Sequence, residues 1–198
     1  IGEGSLGGKA RGLAFMNSML IKHRQYDKHD NLRIMIPRSV VIATEYFDEF
    51  IRLNGLKYII SQDFSDEEIL SEFVSSVLPF RLREALKSYI RTVRTPLAIR
   101  SSSKLEDSHY QPFAGIYSTY MIPYTDNEDQ MLRLLLKAVK SVYASVYFAA
   151  SRAYIQSSQN LISEEKMAVI IQEVCGTEQD GLYFPTCSGV ARSINYYP

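Results

Sequence analysis

The sequence predicts a mixed α+β fold, and three observations carry that expectation. Apolar runs of strand length stand between stretches with helical periodicity, glycine, proline and short polar residues punctuate the boundaries, and no internal repeat or low-complexity tract intervenes. At 198 residues with 46% hydrophobic content the chain can bury a substantial core, as one large domain or two small lobes.

The elements follow in order. Ile1 to Gly8 is glycine-rich and opens into a helix from Lys9 to about Arg24, with Leu13, Met16, Leu20 and Ile21 as its expected apolar stripe. Ile34-Met35-Ile36-Pro37 reads as an extended approach to a buried strand, Ser39 to Ala43. Thr44 is the expected N-cap of the next helix, with Phe47, Phe50 and Ile51 on one face and Gly55 as its stop.

Two further helices are expected, Asp66 to Val77 with an acidic first turn and Pro79 to about Val93 with proline in its first turn. Leu97 to Arg100 reads as a strand and Ile116 to Ile122 as its neighbour across a polar loop. Asn127 to about Gln156 reads as one long helix with Leu132, Leu135, Val139, Val142, Val146 and Ala149 facing the core. Ser157 to Glu165 is a polar linker, Met167 to Val174 an apolar run, and Leu182 to Phe184 with Gly189 to Ile194 fits a hairpin.

Charge and cysteine usage exclude several classes. Lys plus Arg equal Asp plus Glu at 22 each, so no global field favours nucleic acid or an anionic membrane, and any anion site must be local. No apolar run reaches the roughly 18 residues a membrane span needs, and no signal-peptide layout is present, so a cytoplasmic protein is expected. Cys175, Cys187 and the histidines His23, His29 and His109 show no zinc-ligand spacing, no metal ligands are assigned, and a disulfide is disfavoured. Starting at Ile1 with a glycine loop already under way, the chain is expected to be a piece of a longer protein.

The richest stretch is Arg100-Ser101-Ser102-Ser103-Lys104-Leu105-Glu106-Asp107, continuing through Phe113-Ala114-Gly115 to Thr119. A guanidinium and three hydroxyls at a strand end, in a glycine-closed loop, offer the donors a polyphosphate needs. The plain alternative is an arginine paired with Glu106 or Asp107 beside ordinary turn serines.

Gly2-x-Gly4-x-x-Gly7 matches a dinucleotide fingerprint only formally, because that motif follows a strand. Gly8-Lys9 lacks the rest of a P-loop, since Glu3 and Ala10 stand where glycine and a hydroxyl residue belong. Glycine N–H groups, a helix N-terminus and the Lys9 ammonium still suit a phosphate, and a glycine turn with a solvated lysine is the alternative. Gln172-Glu173-Val174 ends an apolar run, either emerging into solvent or offering a strand edge to an adenine. Arg152 reads as a salt-bridged helix residue, and the 14 tyrosines as packing with polar tips.

Jointly, these segments resemble the N-terminal nucleotide-binding domain of phosphoenolpyruvate synthase and pyruvate, phosphate dikinase. The matching pieces are Leu6-Gly7-Gly8-Lys9-Ala10-Arg11-Gly12-Leu13, Ile36 to Ile42, Ile99 to Ser103 with Glu106-Asp107 and Phe113-Ala114-Gly115, and Ser188-Gly189-Val190-Ala191, in family order across nearly the whole chain. The resemblance implies an incomplete ATP-grasp domain over residues 1–198, with an N-terminal portion at 1–95 carrying the glycine loop and a phosphate-loop and adenine-strand portion at 96–198.

It further implies ATP and Mg2+ as cofactors, and phosphoryl transfer through a histidine on a separate domain to pyruvate. Arg100 would be the catalytic arginine that stabilises the transferring group. Lys9, Arg100, Gly115 and Thr119 would contact the phosphates, and Gln172, Glu173 and Val174 would hold the adenine. Gly12-Leu13 departs from the usual pattern. The metal-binding acid, the phosphohistidine domain and the pyruvate-binding domain would lie outside this chain, leaving it inactive alone. Two rivals stay open: a related phosphotransferase with another acceptor, and a non-catalytic nucleotide-sensing or interaction module.

Overall fold

The computed structural model describes residues 1–23, 31–103, 115–157, 165–191 and 194. Lys104, Glu106, Asp107, Phe113, Ala114, His29 and His109 therefore lie outside the described residues, and with them most of the expected polar loop.

The architecture is α+β. Helix α1 (Gly7–Lys22) is followed by β1 (Ser39–Ile42), α2 (Thr44–Leu53), a 3-10 turn (Leu56–Ser61), α3 (Asp66–Ser75), α4 (Phe80–Ile90) and β2 (Leu97–Ser103). Then come β3 (Thr119–Ile122), α5 (Glu128–Ala144), a 3-10 turn (Ser145–Tyr147), α6 (Ala149–Ser157), β4 (Met167–Glu173), and the hairpin β5 (Thr177–Gln179) with β6 (Leu182–Phe184). The main sheet is antiparallel in the order β1-β4-β2-β3. It is built from both portions of the chain, because β1 of 1–95 pairs with β4 of 96–198.

Alternation along the strands gives the sheet two chemically different faces. Ile42, Leu97, Ile99, Ile122, Met167, Val169 and Ile171 share one face and belong to a single core with residues of α2 to α5. Phe47, Phe50, Phe73, Tyr143 and Tyr147 form its aromatic centre, with Phe47 edge-on to Tyr143 at 5.2 Å. The opposite face carries Ser39, Val41, Arg100, Ser102, Thr119, Ile170 and Gln172, by the same register.

Local signals account for several boundaries. Ser65 and Glu68 cap α3 reciprocally, with side chain to backbone bonds of 3.2 and 2.8 Å. Gly55 ends α2 at φ +65°, and Lys140 from α5 donates to the terminal carbonyls of Val74 and Ser76. Arg152 sits 3.8 Å from Asp63 and donates to Phe64 O, in keeping with the salt-bridged reading.

Five expectations are corrected. Thr44 is the first residue of α2 and Ala43 its N-cap, because the Thr44 hydroxyl accepts the Ser5 N–H at 3.0 Å instead. The strand expected to be buried, β1, is an edge strand with Ser39 exposed. The long helix breaks at Phe148, where ψ is 154°, and Ser145 and Ser151 return their hydroxyls to the carbonyls of Val142 and Ser145. The hairpin uses Thr177–Gln179 with Leu182–Phe184, turning through Asp180 at φ 53° and Gly181 at φ 77°.

The fifth correction concerns α1. Its buried residues are Gly7, Gly8 and Ala10, whereas Met16 and Ile21 of the expected stripe are 47% and 66% exposed. The helix docks through small residues in its first turn, where backbones can approach closely.

Candidate functional site

The site is built where α1 meets the polar face of the sheet. Gly7 takes φ +72°, and a Cβ there would stand 1.8 Å from Ser102 O, so only glycine permits this approach. Ser102 Oγ accepts the Ala10 N–H at 3.1 Å and donates to Leu6 O at 2.8 Å. These two groups are the natural partners of a first helical turn, so a hydroxyl delivered from β2 enters the start of α1.

The segment before α1 is tied down in the same way. Ile1 N donates to Val41 O, Ala43 N to Ile1 O, Thr44 N to Ser5 O and Glu3 N to Glu45 Oε2. Gly7 N donates to Ser5 Oγ. The expectation that glycine-loop N–H groups stand ready for a phosphate is thereby corrected for Glu3, Ser5, Gly7 and Ala10, whose N–H groups all serve the fold.

The serine triplet is also corrected. Ser101, Ser102 and Ser103 belong to β2 and are fully buried, so they are not loop donors to a solvent-borne ligand. The Ser101 and Ser102 hydroxyls have protein partners, which offsets the cost of burying them. One of those partners is Lys9, whose partly buried Nζ donates to Ser101 Oγ at 3.3 Å.

Arg100 and Thr119 are directly opposed across β2 and β3, with Thr119 exposed. Arg100 Nη1 donates to Gln172 Oε1 at 3.0 Å. Among the described residues no carboxylate ion-pairs with Arg100, and its charge faces a neutral amide. Gly115, at φ +80°, is exposed four residues before Thr119. Arg100, Gln172 and Thr119 thus share one sheet face, and Lys9 stands at the helix start that docks on the same strand, bonded to Ser101.

Glu173 and Val174 are turned elsewhere. By strand alternation Glu173 faces the opposite side from Gln172, where its Oε1 meets Arg38 Nε at 3.0 Å. Its N–H bonds Arg38 O, Val174 N–H bonds Pro96 O, and Val174 O accepts from the Tyr183 hydroxyl. Nearby Tyr89 has its pKa pushed up to about 12, first by burial and then by the Glu173 charge, against a smaller opposing effect of Arg38. A cleft of about 490 Å³ along β1 includes Ala10, Leu13, Arg38, Ser39, Tyr89 and Glu173 in its walls.

Sequence reasoning gave no role to Ser39 or Arg38, although both lie in the Pro37-Arg38-Ser39 stretch. Ser39 stands opposite Gln172 in the β1 and β4 register, and Gln172 Nε2 donates to Ser39 Oγ at 3.1 Å. Cys175 and Cys187 are free and exposed, and among the described residues no helix is long and apolar enough to cross a membrane.

An α+β domain with an arginine that has no carboxylate partner among the described residues, and a lysine at a glycine-anchored helix start, carries the kinds of group that anion-binding domains use. A family model described as the pyruvate phosphate dikinase AMP/ATP-binding domain matches residues 3–197, and the chain belongs to that family. It is 31% identical over 157 residues to an uncharacterized phosphotransferase, YvkC, of Bacillus subtilis, covering 75% of this chain. It is 27% identical over 201 aligned positions to a phosphoenolpyruvate synthase of Aeropyrum pernix, covering 90% of this chain, and 26% identical over 175 to a probable phosphoenolpyruvate synthase of Staphylothermus marinus, covering 76%. The matched regions are 17%, 22% and 20% of those relatives, so the chain spans about a fifth of their length.

Proposed function

We propose that this chain is the ATP-handling part of an ATP-grasp phosphotransferase that passes a phosphoryl group from ATP, through a histidine on a separate domain, to pyruvate, giving phosphoenolpyruvate. The observation that carries the reading is the Arg100 guanidinium, held on a neutral amide and without a carboxylate partner among the described residues, in a nucleotide-binding family. A cation already neutralised by a carboxylate would have little left for a phosphate, and among the described residues no carboxylate neutralises this one.

Arg100 would stabilise charge on the transferring group, with Lys9 reaching the phosphates from α1 and Thr119 and Gly115 bordering them. Such transfer rests on positioning and electrostatic stabilisation, which fixed cationic donors supply without reorganising during the reaction. Gln172 would hold the edge of the adenine, its amide nitrogen carrying a second hydrogen beyond the one given to Ser39. Glu173 and Val174 would border the base, with the Glu173 carboxylate held by Arg38 and the Val174 carbonyl oxygen by the Tyr183 hydroxyl.

Magnesium has no ready ligand set: among the described residues no three His, Cys, Asp or Glu side chains stand together. Mg2+ would be brought with the nucleotide, and the acid expected to hold it would lie outside this chain. A different acceptor is the second reading, favoured by the Bacillus relative, which is named only as a phosphotransferase.

Calorimetric titration of Mg-ATP into this chain and into the full natural protein tests the proposal. Binding by the full protein, with formation of phosphoenolpyruvate from pyruvate, is expected. ATP consumption with other acceptors but not pyruvate would select the second reading. Binding without any turnover would select a nucleotide sensor.

A further inference from the structure

Gln172 joins two strands on the polar face, and the direction of its amide follows from donor chemistry alone. Arginine has no acceptor, so the amide atom 3.0 Å from Arg100 Nη1 has to be the carbonyl oxygen. The NH2 group is then left facing Ser39 Oγ at 3.1 Å, and that hydroxyl accepts. Having accepted, Ser39 Oγ directs its own hydrogen to Pro37 O, 2.8 Å away.

The result is a relay with one polarity, from Arg100 to Gln172 to Ser39 to Pro37. It begins at a cation and ends on a main-chain carbonyl just before β1. A glutamine amide turned by 180° would aim its NH2 at the guanidinium and lose that bond, so Arg100 decides which way the amide faces. Ser39 anchors the other end of the amide, accepting from the NH2 while its own hydrogen is held by Pro37 O. The register makes the contact dependable: Ser39 and Gln172 are directly opposed in the β1 and β4 pairing. Gln172 itself is buried, whereas Ser39 is exposed on an edge strand, so Ser39 can be changed without opening the core.

We propose that Ser39 is a positioning residue of the nucleotide site: it fixes the Gln172 amide so that the Arg100 guanidinium is held facing the phosphates. The proposal rests on the assignment of Arg100 to the phosphates of ATP. Ser39 touches no ligand, and its influence passes through Gln172.

The test compares ATP with AMP, since an arginine directed at the distal phosphates distinguishes the two and a general disturbance of the site does not. Affinities for each nucleotide with Mg2+ are measured by calorimetry on the full natural protein as wild type, Ser39→Ala and Ser39→Thr, with the melting temperature of each. Ser39→Ala is expected to weaken ATP about fivefold and AMP less than about twofold, the scale of one imperfectly held charge-assisted hydrogen bond. Ser39→Thr keeps the hydroxyl and is expected to restore the ATP preference.

An ATP preference unchanged in Ser39→Ala, or equal losses for ATP and AMP, would overturn the positioning role and leave the Arg100 reading standing. Failure of Ser39→Thr to restore the preference at an unchanged melting temperature would also overturn it. A wild-type protein with no preference for ATP over AMP, itself unaffected by Arg100→Ala, would instead remove the phosphate assignment beneath it.

Discussion

The Arg100 guanidinium donates to the Gln172 carbonyl oxygen at 3.0 Å across two neighbouring strands, and its charge has no carboxylate partner among the described residues. A neutral partner orients a guanidinium without cancelling it. That combination is what a site for a highly charged ligand requires, and it frames the first prediction.

Arg100→Ala in the full natural protein is expected to lower phosphoryl transfer by about a hundredfold or more, while ATP affinity falls far less. Steady-state rates over a range of ATP concentrations measure both. A rate change of less than about threefold would remove Arg100 from the reaction.

Gly7→Ala is expected to cost about 3 kcal/mol or more, since it combines a left-handed backbone with an added methyl 1.8 Å from Ser102 O. Gly12→Ala, on the same helix with nothing within 4 Å, is expected to be neutral or to stabilise by up to about 1 kcal/mol. Urea denaturation of the two variants checks the contrast, and equal effects would contradict the close approach of α1 to β2.

Ser102→Ala removes one hydroxyl that serves two backbone groups at once. The expected loss is about 2 to 3 kcal/mol, more than one ordinary hydrogen bond, because the hydroxyl is fully buried and leaves partners behind. Amide exchange should show the first turn of α1 opening more readily than α2 in this variant. Uniform exchange across both helices would argue against the local capping role.

Alkaline pH gives a signed prediction. Complete burial holds the Tyr143 hydroxyl protonated far above its ordinary value of 10.0, burial acts likewise on Tyr147, and Tyr89 is pushed up to about 12. Above about pH 10 the unfolded chain releases these protons while the folded chain keeps them, so stability falls as pH rises. Each retained proton contributes a slope of about 1.4 kcal/mol per pH unit. Tyr143→Phe deletes a buried hydroxyl with no partner among the described residues, and is expected to leave stability at neutral pH unchanged or raise it by up to about 1 kcal/mol. It should also flatten the alkaline slope, which urea titrations at neutral pH and at about pH 10.5 would compare.

Where local chemistry decided the structure, the residues announced it. The helical period of Phe47, Phe50 and Ile51, the Gly55 stop, the acidic start of α3 and the apolar run into Arg100 all reappear in the elements observed. The nucleotide-binding family was legible from motif order, and residues 3–197 match its model.

What long-range contacts decided was not legible. Three consecutive serines carry turn chemistry by themselves, yet they extend β2 because partners such as Lys9 and the first turn of α1, some 92 residues earlier, satisfy their hydroxyls. Nothing near Thr44 shows that Ser5 will claim its side chain. The division of Gln172 from Glu173 follows from strand pleat and was readable once β4 was placed. Asp180-Gly181, by contrast, was a clear hairpin signal in the sequence and marks the true turn.

The contact at Gly7 has a consequence for how this domain can vary. The atom that bars a side chain there is the main-chain carbonyl oxygen of Ser102, whereas at Gly2 it is the ring of Tyr46. A crowded ring can be exchanged for a smaller residue, so a change at Gly2 can be partly offset by a second change at Tyr46. A carbonyl belongs to every amino acid. No second-site suppressor at position 102 can make room for a side chain at Gly7, and a search for revertants of Gly7→Ala should return glycine itself.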